Sequence, residues 1–478
     1  MGDGVTVTPA FQPASWETFQ SPVDGACQMH PMEMAITQNS CASSRQSFQS
    51  RAMNSRACSL MLLTSALPLF AADWPQYGGP NANRSTPEKI QKTFPATGPK
   101  VLWRTPSADG FSSLAVSGGK AFTQVLRNFE GAPRETVVAL DAASGKELWA
   151  APLGIIKVGD GGNDGTADNK GGDGPRSTPS VDGNRVYTVS AKLVVSCFDA
   201  ASGKPIWSRD LIKEHAGRNI SWQNAASPLV EGNLVFVGGG GPGESLLALN
   251  KATGATVWKA HDEKITHATP VVATILGAKQ IIFFTQTGLV SVNPADGALL
   301  WKHAFKYNVS SAASPVVGGD IVYCAAGYGV GSTAVKISKD GGAFKATELW
   351  FSKGNQPVAN HWSTPVYHQG HLYGMFSFKE YGTGPLKCVE LATGKVKWSV
   401  PNFGAGNVIL AADTVLALSD KGELVTVNTN PNEYQEISRA KVVAGKCWSS
   451  PTVANGRIYV RSTKEAVCLD AGTVMASK

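Results

Sequence analysis

Short stretches of alternating apolar and polar residues follow one another from about residue 101 to the end of this 478-residue chain. Alternation with a period of two predicts β-strands, because successive side chains of a strand point to opposite faces of a sheet. The strands recur in groups of four. In each group, a strand opened by Ser/Thr-Pro leads through a tight turn to a second strand, a variable loop, a third strand, another tight turn and a fourth strand. This pattern predicts a four-stranded antiparallel sheet that repeats along the chain.

The end of each group carries a recurring phrase, in which Asp or Asn, a Ser/Thr-Gly turn and a tryptophan follow in order. Residues 138–149, 197–207 and 247–258 are its clearest copies. A period near 45 to 50 residues, built from short strands and turns, is typical of a β-propeller in which each group forms one blade. We expect each indole to pack between adjacent blades, beside the Ser/Thr-Gly turn of its own phrase. The tryptophans that end a phrase are Trp103, Trp149, Trp207, Trp258, Trp301, Trp350 and Trp398.

The number of blades follows from the starts of the first strands. Eight such starts are found, near Ser112, Thr178, Ser227, Thr269, Ser314, Thr364, Asn407 and Ser450. The seventh group has Ile437 roughly where its tryptophan belongs, and the last group stops at Asp470 without a fourth strand. Residues 101–105 read as a fourth strand with no group before them, so we expect them to complete the last blade. The prediction is an all-β, eight-bladed propeller over residues 101–472, in which this N-terminal strand closes the ring and removes the open edges.

Composition and charge narrow the class of protein. A hydrophobic fraction of 42%, 51 glycines and a charged fraction of 17% are typical of a folded, turn-rich β protein. The formal net charge of +7 is spread along the chain without a Lys/Arg run, which argues against nucleic-acid binding. Cys197, Cys388 and Cys468 occupy the phrase position that Ala139 and Ala248 hold in other copies. We therefore expect buried small side chains and no disulfide framework.

The N-terminal region has a different character. Residues 53–72 have the layout of a secretory signal peptide, with a basic start, an apolar stretch from 57 to 70 and two alanines at the exit. The apolar stretch is too short to span a bilayer, and no other transmembrane candidate is found. We therefore expect a periplasmic or secreted protein. Two interpretations of residues 1–52 stay open, an over-extended gene start and a disordered extension, and residues 73–100 form a lead-in segment.

The phrase Ala-x-Asp-x-x-Thr/Ser-Gly-x-x-x-Trp resembles the tryptophan-docking repeat of the quinoprotein alcohol dehydrogenase-like family, whose PQQ-like repeats form eight-bladed propellers. Residues 73–80, Asp-Trp-Pro-Gln-Tyr-Gly-Gly-Pro, are similar to the lead-in of exported PQQ-like repeat proteins. The resemblance covers about residues 74–470. It implies the propeller fold, and it implies either PQQ-dependent catalysis or scaffolding, as in the outer-membrane assembly lipoproteins of the family. The repeat is compatible with both functions, because its tryptophans pack blades against one another and this packing serves the fold in either case.

A binding site is expected at one mouth of the axial channel. The loops from the fourth strand of one blade to the first strand of the next lie on one face of a propeller, here called the upper face. The residues three positions before the proline of each Ser/Thr-Pro pair, or at the equivalent position where that proline is absent, therefore cluster around the mouth of the channel on this face. They are Phe111, Arg176, Ala225, His267, Ala312, Trp362, Ala405 and Trp448. Aromatic faces with cationic and amide donors suit a flat anionic or polar ligand or cofactor. With their neighbours, the candidate binding residues are Arg176, Trp222, Asn224, His267, His361, Trp362 and Trp448. The alternative that these side chains simply fill the channel stays open.

A long acidic loop, residues 158–174, leads straight into Arg176 and is expected to overhang the same mouth. Carboxylates are the hard oxygen ligands that Ca²⁺ prefers. Its candidate metal ligands are Asp160, Asp164, Asp168 and Asp173. Flexible acidic loops without a metal have the same composition, and the spacing matches no known calcium-loop pattern.

Two functional classes remain. The first is an exported, non-catalytic propeller, expected to be monomeric, that binds a protein partner or a small ligand in the cell envelope. The second, implied by the family resemblance, is a PQQ- and Ca²⁺-dependent dehydrogenase that oxidises an alcohol or a sugar. The chain has no adjacent cysteine pair, no Cys-x-x-Cys-His haem motif and no carboxylate at the ring positions. These features favour the binding class.

Overall fold

The computed structural model of the protein describes residues 72–155, 174–309, 311–376, 380 and 382–472. Two strands precede the first blade, β1 (Ser85–Thr86) and β2 (Val101–Pro106). Eight antiparallel blades follow around a ring, which confirms the predicted fold class.

Blades 1 to 4 each consist of four consecutive strands. Blade 1 contains β3 (Ala115–Ser117), β4 (Lys120–Phe129), β5 (Ala132–Asp141) and β6 (Glu147–Ile155). Blade 2 contains β7 (Ser180–Asp182), β8 (Arg185–Val189), β9 (Val194–Asp199) and β10 (Pro205–Asp210), followed by the short helix α1 (Leu211–Glu214). Blade 3 contains β11 (Leu229–Glu231), β12 (Leu234–Gly238), β13 (Leu246–Asn250) and β14 (Thr256–Ala260). Blade 4 contains β15 (Val271–Ile275), β16 (Ala278–Thr285), β17 (Gly288–Val292) and β18 (Leu299–Ala304).

Blades 5 to 7 repeat this order, and blade 8 supplies only three consecutive strands. Blade 5 contains β19 (Val316–Gly318), β20 (Ile321–Ala326), β21 (Gly331–Asp340) and β22 (Ala343–Lys353). Blade 6 contains β23 (Val366–His368), β24 (His371–Met375), β25 (Leu386–Glu390) and β26 (Val396–Val400). Blade 7 contains β27 (Gly406–Ala411), β28 (Thr414–Ser419), β29 (Glu423–Asn428) and β30 (Glu436–Lys441). Blade 8 contains β31 (Thr452–Ala454), β32 (Arg457–Arg461) and β33 (Glu465–Asp470).

The ring closes as the sequence predicts. Strand β2 pairs antiparallel with β33, and Trp103 lies opposite Cys468 in the register that Trp207 and Cys197 adopt within blade 2. The N-terminal strand is therefore the fourth strand of blade 8. Because both ends of the propeller share one sheet, opening the ring would require breaking a complete strand pairing.

The core lies between neighbouring blades. First strands neighbour one another around the channel, and third strands such as β17 are buried on both faces. A strand covered on both sides is almost continuously apolar. The three cysteines of the phrase position, Cys197, Cys388 and Cys468, are fully buried, and every cysteine within the described ranges has a free thiol. The predicted structural role of these small side chains is confirmed.

The tryptophans join adjacent blades, but where the next blade has a Ser/Thr-Gly turn the indole packs on that turn and not on the turn of its own phrase. A Cβ atom at Gly203 would lie 2.6 Å from the ring of Trp149, and one at Gly254 would lie 2.6 Å from the ring of Trp207. The indole also donates across the junction, as Trp149 Nε1 does to the Ala200 carbonyl at 3.1 Å. The expectation of packing on the tryptophan's own turn was wrong, because the indole extends beyond the edge of its own blade.

Trp301, at the junction of blades 4 and 5, has a different partner. Its Nε1 donates to Oε1 of Gln280 in its own blade at 2.7 Å. Blade 5 replaces the short phrase turn with the long β21–β22 hairpin. A buried glutamine satisfies the indole N–H at this junction.

The lead-in segment occupies the junction of blades 7 and 8, where the phrase has lost its tryptophan. Strand pairing places Ser438, one residue beyond Ile437, at the tryptophan position. Ser438 Oγ accepts the backbone N–H of Phe94 at 2.9 Å, and the Phe94 side chain is buried in the same core. The Thr426 hydroxyl donates to the carbonyl of Lys92 at 2.6 Å. The lead-in segment thus replaces the missing indole.

The Ser/Thr of the Ser/Thr-Pro pairs, together with Ser113 at the equivalent position of blade 1, where Leu114 replaces the proline, forms a hydrogen-bonded belt around the channel. At five junctions its hydroxyl accepts a backbone N–H from the preceding blade, at 2.8 to 3.0 Å; the donor–acceptor pairs are Ser113–Thr178, Thr178–Ser227, Ser227–Thr269, Ser314–Thr364 and Ser450–Ser113. Four of the five donors stand directly before a proline, where the ladder is interrupted, and these bonds satisfy them. The belt also explains why a hydroxyl residue precedes the proline.

Candidate functional site at the two ends of the channel

The upper mouth is filled by a stack of aromatic rings. The rings of Phe111 and Trp448 lie 4.6 Å apart between centroids, and those of Trp448 and Trp362 lie 5.0 Å apart. The Lys446 ammonium lies 5.3 Å from the Trp448 centroid, which is within cation–π range. Three loops that are distant in sequence therefore meet here, as the alignment of repeats predicts. The three rings, tilted by 30° and 32° to their neighbours, form a continuous cluster that is here called the aromatic plug.

The basic residues of the mouth, Arg176, His267 and His361, lie on neighbouring loops. Arg176 Nη1 donates to the Trp222 carbonyl at 2.7 Å. The backbone N–H of His267 donates to Ser311, and the N–H of Ala312 donates to the His361 carbonyl at 2.8 Å. Burial, followed by the charges of Arg176 and His361, lowers the pKa of His267 to about 3. His267 is therefore neutral at physiological pH.

Asn224 and Trp222 differ in accessibility although they are neighbours. The Asn224 amide is buried, donates to the Ser190 and Ala226 carbonyls and accepts the Ala226 N–H. The Asn224 side chain therefore makes its hydrogen bonds within the protein. Trp222 is 43% exposed, and its φ of 73° holds the backbone in the left-handed region. Such a backbone is uncommon for a large residue and costs energy that the surrounding loop must supply.

Glu135 is a buried carboxyl near the mouth that the alignment of loops did not identify. Both carboxylate oxygens accept the Ala191 N–H, and the side chain is 2% exposed. Burial raises the pKa of Glu135 to about 7, although the Ala191 N–H and the charge of Arg176 act in the opposite direction. One feature of the sequence could have identified this site. Glu135 stands four residues before Ala139, and at the equivalent position blade 2 has the buried Leu193, so that blade 1 has a carboxyl where blade 2 has an apolar core residue.

The candidate metal ligands Asp160, Asp164, Asp168 and Asp173 lie outside the described residues. Within the ranges that are described, no group of three or more His, Cys, Asp or Glu side chains could hold a metal ion. The calcium site therefore remains a prediction.

The lower end of the channel contains a cavity of about 510 Å³. Its floor is the lead-in segment, which pairs with blade 1 through Trp74 and Val116 and then runs as β1 parallel to β27 of blade 7. Its walls are the first strands of blades 3 to 6 and their hairpin turns. The sequence analysis placed no site here, because the lead-in has no repeat by which its position could be inferred.

Comparison with known proteins identifies the relatives of this propeller. A sequence family described as "Outer membrane protein assembly factor BamB" matches residues 133–361 and 382–473. The chain belongs to this family. It is 25% identical over 264 residues to the outer membrane protein assembly factor BamB of Moranella endobia. That match covers 52% of this chain and 62% of the relative, so the chain spans less than two thirds of the relative's length.

Solved structures with the same fold include members of both functional classes. The BamB structure from Moraxella catarrhalis aligns with a TM-score of 0.54 at 17% identity, covering 77% of this chain and 97% of that one. The quinohemoprotein alcohol dehydrogenase from Comamonas testosteroni aligns with a TM-score of 0.58 at 12% identity, covering 85% and 81%. At these identities the likeness shows the fold alone.

The residues that the structure describes at the upper mouth do not fit a calcium-bound quinone. Trp362 and Trp448 stack on each other, so they leave no slot between them for a planar cofactor. The ring positions offer no carboxylate to hold Ca²⁺, and Glu135 uses both of its oxygens on a backbone N–H. The donor set that the structure describes at the mouth therefore gives no support for a bound quinone.

Proposed function

We propose that this protein is an exported, non-catalytic propeller that docks a protein partner in the cell envelope. The observation that carries the proposal is the aromatic plug. An enzyme of this fold needs an open cleft in which a substrate meets reactive groups, whereas Phe111, Trp448 and Trp362 fill that space with one another.

The rim around the plug has the composition of a docking surface. Trp222 is 43% exposed, and Tyr328, in the loop between β20 and β21, is 39% exposed. Aromatic and arginine side chains are enriched among the residues that contribute most to protein–protein binding. The rim combines exposed aromatic side chains with Arg176. Membership of the BamB family supports a role in outer membrane protein assembly, since that is the role the family description gives.

Affinity purification from the native envelope tests the proposal. We expect the Trp222→Ala/Tyr328→Ala double variant to lose a partner that the wild-type chain retains. Val257→Ala is the matched control, because Val257 is 49% exposed on the outer wall of blade 3. Retention of every partner by the double variant would contradict docking at the upper rim.

Export is part of the proposal. The candidate signal peptide at 53–72 supports it, and of these residues only Ala72 lies in the described part of the chain. No helix among the described residues is long and apolar enough to cross a membrane. Cell fractionation with N-terminal sequencing should find a chain in the periplasmic or secreted fraction that begins near Ala72 or Asp73. A cytoplasmic chain that retains residues 53–72 would contradict export.

Cofactor titration tests the dehydrogenase alternative directly. The purified protein is incubated with PQQ and Ca²⁺, and both quinone absorption and dye-linked oxidation of ethanol or glucose are recorded. We expect neither stoichiometric uptake nor turnover. Uptake that is abolished by Arg176→Ala and Trp362→Ala, together with turnover, would establish an enzyme with its site at the upper mouth.

A further inference from the structure

Ala72, in the lead-in segment, lies against a buried carboxylate. Its backbone nitrogen donates to Oε1 of Glu88 at 2.9 Å, and Glu88 is 6% exposed. The two residues are 16 positions apart, so the contact requires the lead-in segment to fold back on itself.

The residues that follow Ala72 hold it in place. Trp74 exchanges both backbone hydrogen bonds with Val116 of blade 1, at 2.9 and 2.8 Å, and its side chain is buried. The Asp73 carboxylate accepts from the side-chain amide of Asn455 in blade 8 at 2.9 Å. Ala72 is therefore anchored by contacts to both blade 1 and blade 8.

Glu88 joins the same segment to blade 8. Its two carboxylate oxygens accept the backbone N–H groups of Asn455 and Gly456, each at 2.9 Å, in the turn between β31 and β32. With the Ala72 N–H, three donors satisfy this carboxylate. Each donor is a neutral peptide amide, so the hydrogen bonds leave the buried negative charge without a counter-ion.

The part of the chain that the structure describes supplies no side-chain cation to this carboxylate. Neither Glu88 nor Asp73 forms an ion pair with a Lys, Arg or His side chain there. By contrast, Glu465 in blade 8 accepts a backbone N–H and also pairs with Arg104. Because a buried charge is costly without a partner, Glu88 lacks the one kind of group that Glu465 has.

We propose that hydrolysis of the Ala71–Ala72 bond supplies the missing cation, and that Glu88 binds the α-ammonium group of a mature chain that begins at Ala72. A peptidase of the export machinery adds water across this bond, so that Ala71 ends in a carboxylate and Ala72 begins with an ammonium group. The nitrogen that donates to Glu88 thereby gains two protons and a positive charge. A charge-assisted hydrogen bond replaces a neutral one.

The sequence around this bond fits the proposal. Ala71 is a small residue directly after the apolar stretch, as the residue before a signal-peptide cleavage site is expected to be. Cleavage one residue later would begin the chain at Asp73 and remove the nitrogen that contacts Glu88. The inference rests on the proposed export and not on the docking rim, and it goes beyond export because it selects one bond.

Mass spectrometry of the N-terminal peptide tests the position of cleavage. The protein is purified from the periplasmic or secreted fraction of cells that express the full chain. We expect the mature chain to begin at Ala72. A chain that begins at Asp73 or at another residue would overturn the role of Glu88 and leave export intact, whereas an uncleaved cytoplasmic chain would overturn both.

A double-mutant cycle tests the ion pair. Insertion of Ser-Gly-Ser between Ala71 and Ala72 keeps the residue before the cleaved bond and moves the ammonium group by up to about 10 Å. Urea denaturation then measures Glu88→Gln in the exported wild-type and inserted chains. We expect this substitution to raise the unfolding equilibrium constant by a factor that is about tenfold larger in the wild-type chain, which is the difference between a charged and a neutral hydrogen bond. Equal factors in the two chains would overturn the proposal.

Glu465→Gln is the matched control, because the cation that pairs with Glu465 is a side chain, Arg104, and does not depend on cleavage. We expect it to have the same effect in both chains. A tenfold difference for this control as well would overturn the proposal, since the insertion would then act without the Glu88 pair. If Glu88→Gln does not fold, the insertion alone decides. It should raise the unfolding equilibrium constant about tenfold when Glu88 is present, and an unchanged constant would overturn the proposal.

Discussion

The backbone N–H of Gln91 donates to the carbonyl oxygen of Ala471 at 2.7 Å, and this carbonyl is the counterpart of the one that a tryptophan indole contacts at other blade junctions. At the equivalent place between blades 8 and 1, Trp103 Nε1 donates to Ala142 at 3.0 Å. The lead-in segment has thus taken over the hydrogen bond as well as the space of the tryptophan that blade 7 lacks. A segment outside the repeats therefore joins blades 7 and 8 where the tryptophan is absent.

Loss of the lead-in contact should destabilise the whole propeller. Phe94→Ala removes a buried ring from the junction of blades 7 and 8, and we expect it to lower the free energy of unfolding by about 3 kcal/mol. Phe351→Ala is the control, because Phe351 is largely exposed on blade 5. Guanidinium denaturation followed by tryptophan fluorescence measures both. Equal, small effects would mean that the lead-in does not stabilise the ring.

The docking of tryptophans on the next phrase predicts a difference between two glycines of blade 2. Both have positive φ, 71° at Gly203 and 57° at Gly183. A methyl group at Gly203 would lie 2.6 Å from the Trp149 ring, whereas at Gly183 it meets nothing within 4 Å. Gly183→Ala should cost about 1 kcal/mol of unfolding free energy through backbone strain alone.

Gly203→Ala adds overpacking to the same strain, and we expect a total cost of about 3 kcal/mol. Urea denaturation of the two variants measures the difference. If Gly203→Ala costs no more than Gly183→Ala, the indole does not pack on the next phrase as described.

Glu135 predicts a specific pH dependence of stability. Burial raises its pKa from 4.5 to about 7, so between these values the folded protein binds a proton that the unfolded chain has released. Stability from this group is fully present below pH 4.5 and is lost as the pH rises through 7. We expect wild type to lose about 2.5 kcal/mol relative to Glu135→Gln between pH 5 and pH 8.

Denaturation curves at several pH values compare wild type with Glu135→Gln. Glu147→Gln serves as the control, because Glu147 is an exposed carboxyl on the neighbouring strand β6. The control should follow the wild-type profile. A wild-type profile parallel to that of Glu135→Gln would show that Glu135 is ionised throughout this range.

The propeller could be predicted from the sequence because the phrase and the strand pattern repeat at a regular period. The number of blades, the closure by residues 101–106 and the convergence of Trp362 and Trp448 all follow from one repeat. The lead-in has no such repeat. Arg84 contacts Ser450, which lies 366 positions away, and no local pattern predicts that pairing. The lower cavity, whose floor this segment forms, was inaccessible to sequence reasoning for the same reason.

The central claim, that the upper rim docks a protein partner, is tested most directly by site-specific photo-crosslinking in living cells. A benzophenone side chain is introduced at Trp222, at Tyr328 and, as a control of similar exposure, at Val257 on the outer wall. We predict a discrete crosslinked envelope protein, identified by mass spectrometry, from positions 222 and 328 and none from 257. The absence of a crosslink at both rim positions, or the same crosslinks from position 257, would contradict the account.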